Sequence, residues 1–187
     1  AKVQSLAQGE TTTDTFPVAY TDTHGGSATA NIVVTITGTN DVPQITGSCG
    51  NDAGWVQEDN MTHLVTSGDL DVSDVDHGAR AIWSVDGHAP SAYGSFSVNS
   101  HGTWTYTLAN STPAVQSLAE GQSITEHYTV RVTDEFGAFD TQDVTITIKG
   151  TNDRPTITGD TGQVTEDGTP QPQTASGTIT FGDIDLQ

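Results

Sequence analysis

The stretch VQSLAQGETTTDTFPVAYTDTHGGSATANIVVTITGTNDVPQITG begins at Val3 and returns, without a gap, as VQSLAEGQSITEHYTVRVTDEFGAFDTQDVTITIKGTNDRPTITG at Val115, a shift of 112 residues (115 − 3). About half of the paired positions are identical, among them the run G-T-N-D with its following Pro and I-T-G. The likeness continues beyond this block. Val56, Glu58 and Asp59 return as Val164, Glu166 and Asp167, Ser67-Gly68 as Ser176-Gly177, and the D-V-D of 74–76 as the D-I-D of 183–185. There the shift falls by about four, so residues 48–55 carry a short insertion holding Cys49 and Trp55. Internal repetition constrains a fold more than any local propensity. A period above 100 residues is too long for a solenoid unit and suits a self-sufficient domain. The chain therefore divides into the end of one repeat (1–41), a complete repeat (42–153) and the beginning of a third (154–187).

Within the complete repeat the apolar residues alternate. Phe96 and Val98 are spaced by Ser, and Trp104, Tyr106 and Leu108 by Thr, with Asn99-Ser100-His101-Gly102 as the turn between them. Tyr128, Val130 and Val132 mark a further strand, and Val144, Ile146 and Ile148 the one after. Seven strands follow: A near 43–47, B near 62–72, C near 80–86, D near 94–98, E near 103–108, F near 125–133 and G near 139–149. Short alternating strands with Gly, Asp and Asn turns specify an all-β fold, a seven-stranded antiparallel Ig-like β-sandwich in tandem repeats. Trp83, Trp104 and Tyr106 read first as core aromatics and second as a sugar-stacking surface. The first fragment then holds only strands F and G, and the last only A and B. An isolated hairpin buries too little to be stable. The expectation is a head-to-tail self-association, the leading strands of one molecule packing on the trailing strands of another.

The formal charge is −19, from 24 acidic and 5 basic side chains among 187 residues. That balance argues against nucleic acid or an anionic membrane as a partner, and it calls for cations to offset self-repulsion. Cys49 has no partner for an internal disulfide and reads as a small apolar side chain. No apolar run reaches the roughly 18 residues of a membrane span, so no membrane insertion by this segment is expected. Sequons at Asn60 and Asn110 carry little weight.

Placing the carboxylates on the sandwich is more informative. Strands that alternate up and down put the incoming linker and the B–C, D–E and F–G turns at one end. The A–B, C–D and E–F turns share the other end with the outgoing linker. Asp74 and Asp76 in the B–C turn and Asp134 at the F–G turn therefore meet Asn40-Asp41. Glu58 in the A–B turn and Glu120 in the E–F turn meet Asn152-Asp153, which Asp183 and Asp185 approach from the following repeat. Two sets of hard oxygen ligands suit Ca²⁺, which accepts six to eight oxygens in irregular geometry. Zn²⁺ would need His and Cys at ligand spacing, and the six His are scattered. An EF-hand fails because Val85 stands where the loop would end on Glu.

The motifs VTED and D-V-D, YGSFSVNSHGTWTYTL, VQSLAEG, VTDEFG and ITIKGTND, in this order, resemble the VCBS repeats of giant bacterial surface proteins of the RTX-adhesin type. The layout is also similar, more distantly, to cadherin repeats. Glu58, Glu120, Asn152-Asp153, Asp74/Asp76 and Asp134 fill the slots from which cadherins hold calcium between domains. Three departures stand out: LAEG carries fewer carboxylates than the cadherin E–F motif, Gln8 replaces Glu120 in the first repeat, and the linker is a residue shorter. The resemblance implies a secreted, cell-surface spacer whose partners are the adjacent repeats of the same protein. A polysaccharide is the partner under a second reading, in which Trp55 or Trp83 stacks on sugar. No nucleophile–base signature, HExxH or phosphate-cradling loop occurs, so an enzyme is not expected.

Overall fold

The computed structural model describes residues 3–46, 50–87, 91–165 and 174–185; Cys49, Glu166 and Asp167 lie outside them. The strands in chain order are β1 (Thr11–Thr21), β2 (Ser27–Thr37), β3 (Gln44–Ile45), β4 (Ala53–Gln57), β5 (Val65–Asp69), β6 (Val72–Ser73), β7 (Ile82–Asp86), β8 (Gly94–Val98) and β9 (Thr103–Leu108). A short helix α1 (Pro113–Gln116) precedes β10 (Ser123–Thr133), β11 (Phe139–Lys149), β12 (Thr156–Thr158) and β13 (Thr180–Gly182).

The central repeat is a two-sheet sandwich. One sheet has the order β4-β11-β10-β7 and the other β5-β9-β8, with β3 paired to β6 at the side. The alternation that defines the strands also fills the space between the sheets. Trp104, Tyr106 and Leu108 from β9 meet Tyr128 and Val130 from β10 and Val144, Ile146 and Ile148 from β11. Phe96 lies parallel to Tyr128, with ring centroids 4.3 Å apart. Trp104 and Tyr106 are fully buried and Trp83 packs against this core from β7, as expected of core aromatics.

Strands D, E and G begin and end where the alternation places them, and F starts two residues earlier. Strand B is broken into β5 and β6. Strand A differs more: β3 covers only two residues of it, and an additional strand, β4, follows. β4 runs parallel to β11, with Thr145 opposite Ala53 and Lys149 opposite Gln57. The turn-delimited alternation that reveals antiparallel hairpins has no counterpart for a parallel pair so far apart in sequence.

Repetition in sequence becomes repetition in geometry. β1 and β2 pair from Thr11↔Thr37 to Thr21↔Ser27, which is the register of β10 and β11, Ser123↔Lys149 to Thr133↔Phe139, moved by the repeat length. Gln44↔Ser73 and Ile45↔Val72 likewise return as Thr156↔Gly182 and Ile157↔Phe181. Phe16, Val18, Ile32 and Val34, which correspond to the buried Tyr128, Val130, Val144 and Ile146, are exposed on the β1–β2 hairpin.

Gly150 ends β11 where the chain has no room for a side chain. A Cβ there would lie 1.9 Å from the Leu118 carbonyl oxygen, and one at Gly38, its counterpart, 2.1 Å from that of Leu6. Backbone cannot yield as a side chain can. Gly150→Ala is expected to lower stability by about 1–3 kcal/mol in urea melts, the range for overpacking. Gly159→Ala, where nothing lies within 4 Å, serves as the neutral control.

Candidate metal centre at the repeat junctions

The parallel ladder of β4 and β11 builds the outgoing junction. Glu58, the first residue after β4, donates its N–H to the Lys149 carbonyl at 2.9 Å, so it leaves the sheet beside the start of the linker. Its Oε2 accepts the Thr151 N–H at 3.1 Å. Asn152 Nδ2 donates to the Asp153 carbonyl at 2.8 Å, and the Asp153 N–H donates to Asp185 Oδ2 at 2.7 Å. Asp185 in turn donates its N–H to Asp183 Oδ1 at 3.1 Å.

The incoming junction repeats this wiring. Asn40 Nδ2 donates to the Asp41 carbonyl at 2.8 Å, Asp41 N–H to Asp76 Oδ2 at 2.9 Å and Asp76 N–H to Asp74 Oδ1 at 2.9 Å. Here the F–G turn is present as well. Asp134 Oδ2 accepts a second bond from Asn40 Nδ2 at 2.8 Å, and Asp134 Oδ1 accepts the N–H groups of Phe136 and Ala138. Contact between repeats extends to the backbone, where His77 N–H donates to the Ser5 carbonyl at 3.0 Å.

The electrostatics of the two ends differ. Burial pushes the Glu58 carboxyl up to about 7, and the nearby charges of Asp153, Asp59 and Asp185 add to the rise against the Thr151 bond. Asp153 is raised by burial and by Asp185, Asp59 and Asp183. Burial opposes ionisation of Asp134 too, but the donors of Asn40, Phe136, Ala138 and Gly137 outweigh it, and its pKa is lowered.

Four buried side-chain oxygens lack a hydrogen bond among the described residues: Glu58 Oε1, Asp76 Oδ1, Asp153 Oδ2 and Asp185 Oδ1. Every one belongs to a junction carboxylate. A buried acceptor without a donor is destabilising unless a cation or water meets it, so the donor set fits a hard cation. Among the described residues no group of three or more His, Cys, Asp or Glu side chains is gathered closely enough to hold a metal ion by itself.

The structure thus brings together Asn40, Asp41, Asp74, Asp76 and Asp134 at one end, and Glu58, Asn152, Asp153, Asp183 and Asp185 at the other. Glu120 is exposed and takes part in none of these bonds. Asp59 was not singled out by the sequence reading, although its charge acts on both Glu58 and Asp153. The recurrence of Glu58-Asp59 as Glu166-Asp167 was the available signal.

Two of the three tryptophans offer no open face for sugar stacking. Trp104 is buried and Trp83 packs on the core. Trp55 is the exposed one, and its ring carries His63 stacked at 4.1 Å and the Lys149 ammonium at 4.4 Å.

Comparison with known proteins supplies the family. The family model described as bacterial cadherin-like domain matches residues 40–150, more than half of the chain. Solved structures with a similar fold include protocadherin gamma B7 extracellular cadherin domains 1–4 (TM-score 0.50, 20% identity, 94% of this chain and 41% of that one). Protocadherin gamma B2 extracellular cadherin domains 1–5 (TM-score 0.51, 14% identity, 94% and 32%) and the protocadherin gamma B4 extracellular domain (TM-score 0.51, 17% identity, 95% and 27%) are further examples. The chain spans less than half the length of each of these structures. A search of curated proteins finds no match. Among the described residues no helix is long and apolar enough to cross a membrane. With a family-model match across the whole central sandwich, the chain belongs to the bacterial cadherin-like domain family, a class of extracellular, adhesion-type structural modules.

Proposed function

We infer that this chain is a calcium-rigidified spacer from a large secreted bacterial adhesin of the VCBS and RTX type, which holds a distal binding domain away from the cell surface during adhesion and biofilm formation. The observation that carries this reading is the location of the unpartnered buried oxygens, all on carboxylates that flank the two linkers. Asn40, Asp41, Asp74, Asp76 and Asp134 would hold Ca²⁺ at the incoming junction. Glu58, Asn152, Asp153, Asp183 and Asp185 would hold it at the outgoing one. Calcium supplies positive charge among carboxylates that otherwise repel. The linker hydrogen bonds already set the direction of each step, so the cation has only to stiffen it. The repeat boundaries at 41/42 and 153/154 belong to the same proposal.

The exposed apolar face of β1–β2 corresponds to the core face of β10–β11, which supports completion by further repeat sequence or by the trailing strands of another copy. Small-angle scattering tests both points. Calcium is expected to lengthen and narrow the distance distribution relative to chelator, and the scattering mass to rise with protein concentration as copies add head to tail. Asp76→Asn, in a turn outside the hydrophobic core, is expected to blunt the calcium response of the incoming junction without unfolding the sandwich in chelator. Superimposable curves with and without calcium would refute the spacer mechanism. A constant mass would refute the head-to-tail contact alone.

A further inference from the structure

The two glycines that make room for Trp104 in the central repeat recur in the trailing segment. A Cβ at Gly54 would lie 2.9 Å from the indole and one at Gly68 2.7 Å from it, so the ring rests on backbone at both places. Gly162, two residues before Val164, and Gly177, next to Ser176, hold the same positions relative to Val56 and Ser67. Their spatial relation is kept as well. A Cβ at Gly54 would meet the Thr66 side chain at 2.8 Å, and one at Gly162 would meet Ala175, the counterpart of Thr66, at 2.7 Å. Where the central repeat has its indole, Asp160, Gly162, Ala175, Ser176, Gly177 and Ile179 line a hollow of about 380 Å³. Ile179 is 67% exposed there, whereas Leu70, at the same place in the central repeat, is 1% exposed.

We propose that this hollow is a receptor slot for a tryptophan-bearing β-hairpin of the β8–β9 kind, which docks by adding its second strand to residues 174–178. The central repeat supplies the register: β5 and β9 run antiparallel with Gly68 opposite Trp104 and Thr66 opposite Tyr106. In the slot Gly177 therefore faces the tryptophan, and Ala175 faces the aromatic residue two positions on. Residues 174–178 are exposed, so their backbone is open to an added strand. Main-chain pairing gives such a contact its affinity, and the alternate side chains that enter pockets give it specificity. The indole is the side chain that selects this partner, because only a flat, large ring needs two facing glycines. Residues 1–41 contain no tryptophan, so the leading hairpin of another copy does not plug the slot. Trp104 of another copy is buried in its own sandwich. The partner is thus a separate hairpin, and its docking depends on the reading of 154–187 as the beginning of a repeat and not on calcium.

The test is fluorescence anisotropy in chelator, with a labelled synthetic peptide of residues 94–108 titrated with the whole chain. Saturable binding of one peptide per chain is expected. The same peptide carrying Trp104→Ala is expected to bind at least about tenfold more weakly, the loss typical of a buried aromatic anchor. Gly177→Val in the chain fills the slot from outside the central sandwich, so the melt of that sandwich should match the parent while peptide affinity falls by a similar factor. Gly159→Ala, with nothing within 4 Å, is expected to leave the affinity unchanged. No binding to the parent chain, or equal binding of the Trp104→Ala peptide, overturns the slot. Binding that survives Gly177→Val overturns it too, since the peptide is then exchanging into the central sandwich. Because calcium is absent throughout, none of these outcomes touches the spacer reading.

Discussion

Replacing Trp104 by alanine is expected to unfold the central repeat or to remove about 3–5 kcal/mol of its stability, the range for truncating a buried large aromatic. The indole is fully buried between the sheets. It lies nearly parallel to Phe96 at 5.8 Å, and its Nε1 donates to the Asn51 carbonyl at 2.6 Å. Gly68 is shaped to it: a Cβ there would come within 2.7 Å of the ring. The surrounding strands are held in hydrogen-bonded ladders and cannot collapse into the space, so transfer and cavity terms add. Urea titration followed by tryptophan emission measures the loss, with Trp55→Ala as the surface comparison. A Trp104→Ala protein as stable as its parent would overturn the core assignment.

The second large effect is an opposite pH dependence with and without calcium. In chelator, Glu58 titrates at about 7 when folded against an ordinary value of 4.5, so between those limits the folded state holds a proton that the unfolded state has released. Folding stability then declines as pH rises through that window, by roughly 3 kcal/mol in total for this group. Asp153, also raised, acts in the same direction. Asp134 acts the other way: its lowered pKa contributes stability above the ordinary value of 3.8 that is lost as pH falls through the folded value. On the proposed calcium reading the cation would bind the deprotonated carboxylates, so its stabilisation, about 2.7 kcal/mol at a hundredfold excess over Kd, would be fullest above pH 7. Melting profiles from pH 5 to 8 are therefore expected to fall with pH in chelator and to rise or stay level in calcium. A chelated profile that is flat from pH 5 to 7 refutes the buried acidic Glu58. Coincident profiles at pH 8 refute the calcium reading.

Much of this fold is written in local pattern. Trp104, Tyr106 and Leu108 alternate with threonine, and a strand has only two faces, so the side that is buried follows from the sequence itself. The repeat, the strands of D, E and G, the hairpin register and the meeting of Asp41, Asp76 and Asp134 at one end all follow from that alternation and from turns of known direction. Tertiary structure decided what depends on partners distant in sequence. β4 exists because Ala53–Gln57 finds β11 some ninety residues later, in a parallel register that no turn dictates. That pairing buries Glu58 beside Thr151 and raises its pKa, neither of which is visible in the dipeptide Glu58-Asp59. The bonds of Asn110 and Gln116 to Asp59 likewise form only when the loop after β9 meets the A–B turn, some fifty residues away. Sequence alone determined which residues are acidic, which alternate and which repeat. The burial of one carboxylate and the exposure of another were decided by a long-range ladder whose energy lies between strands rather than within them.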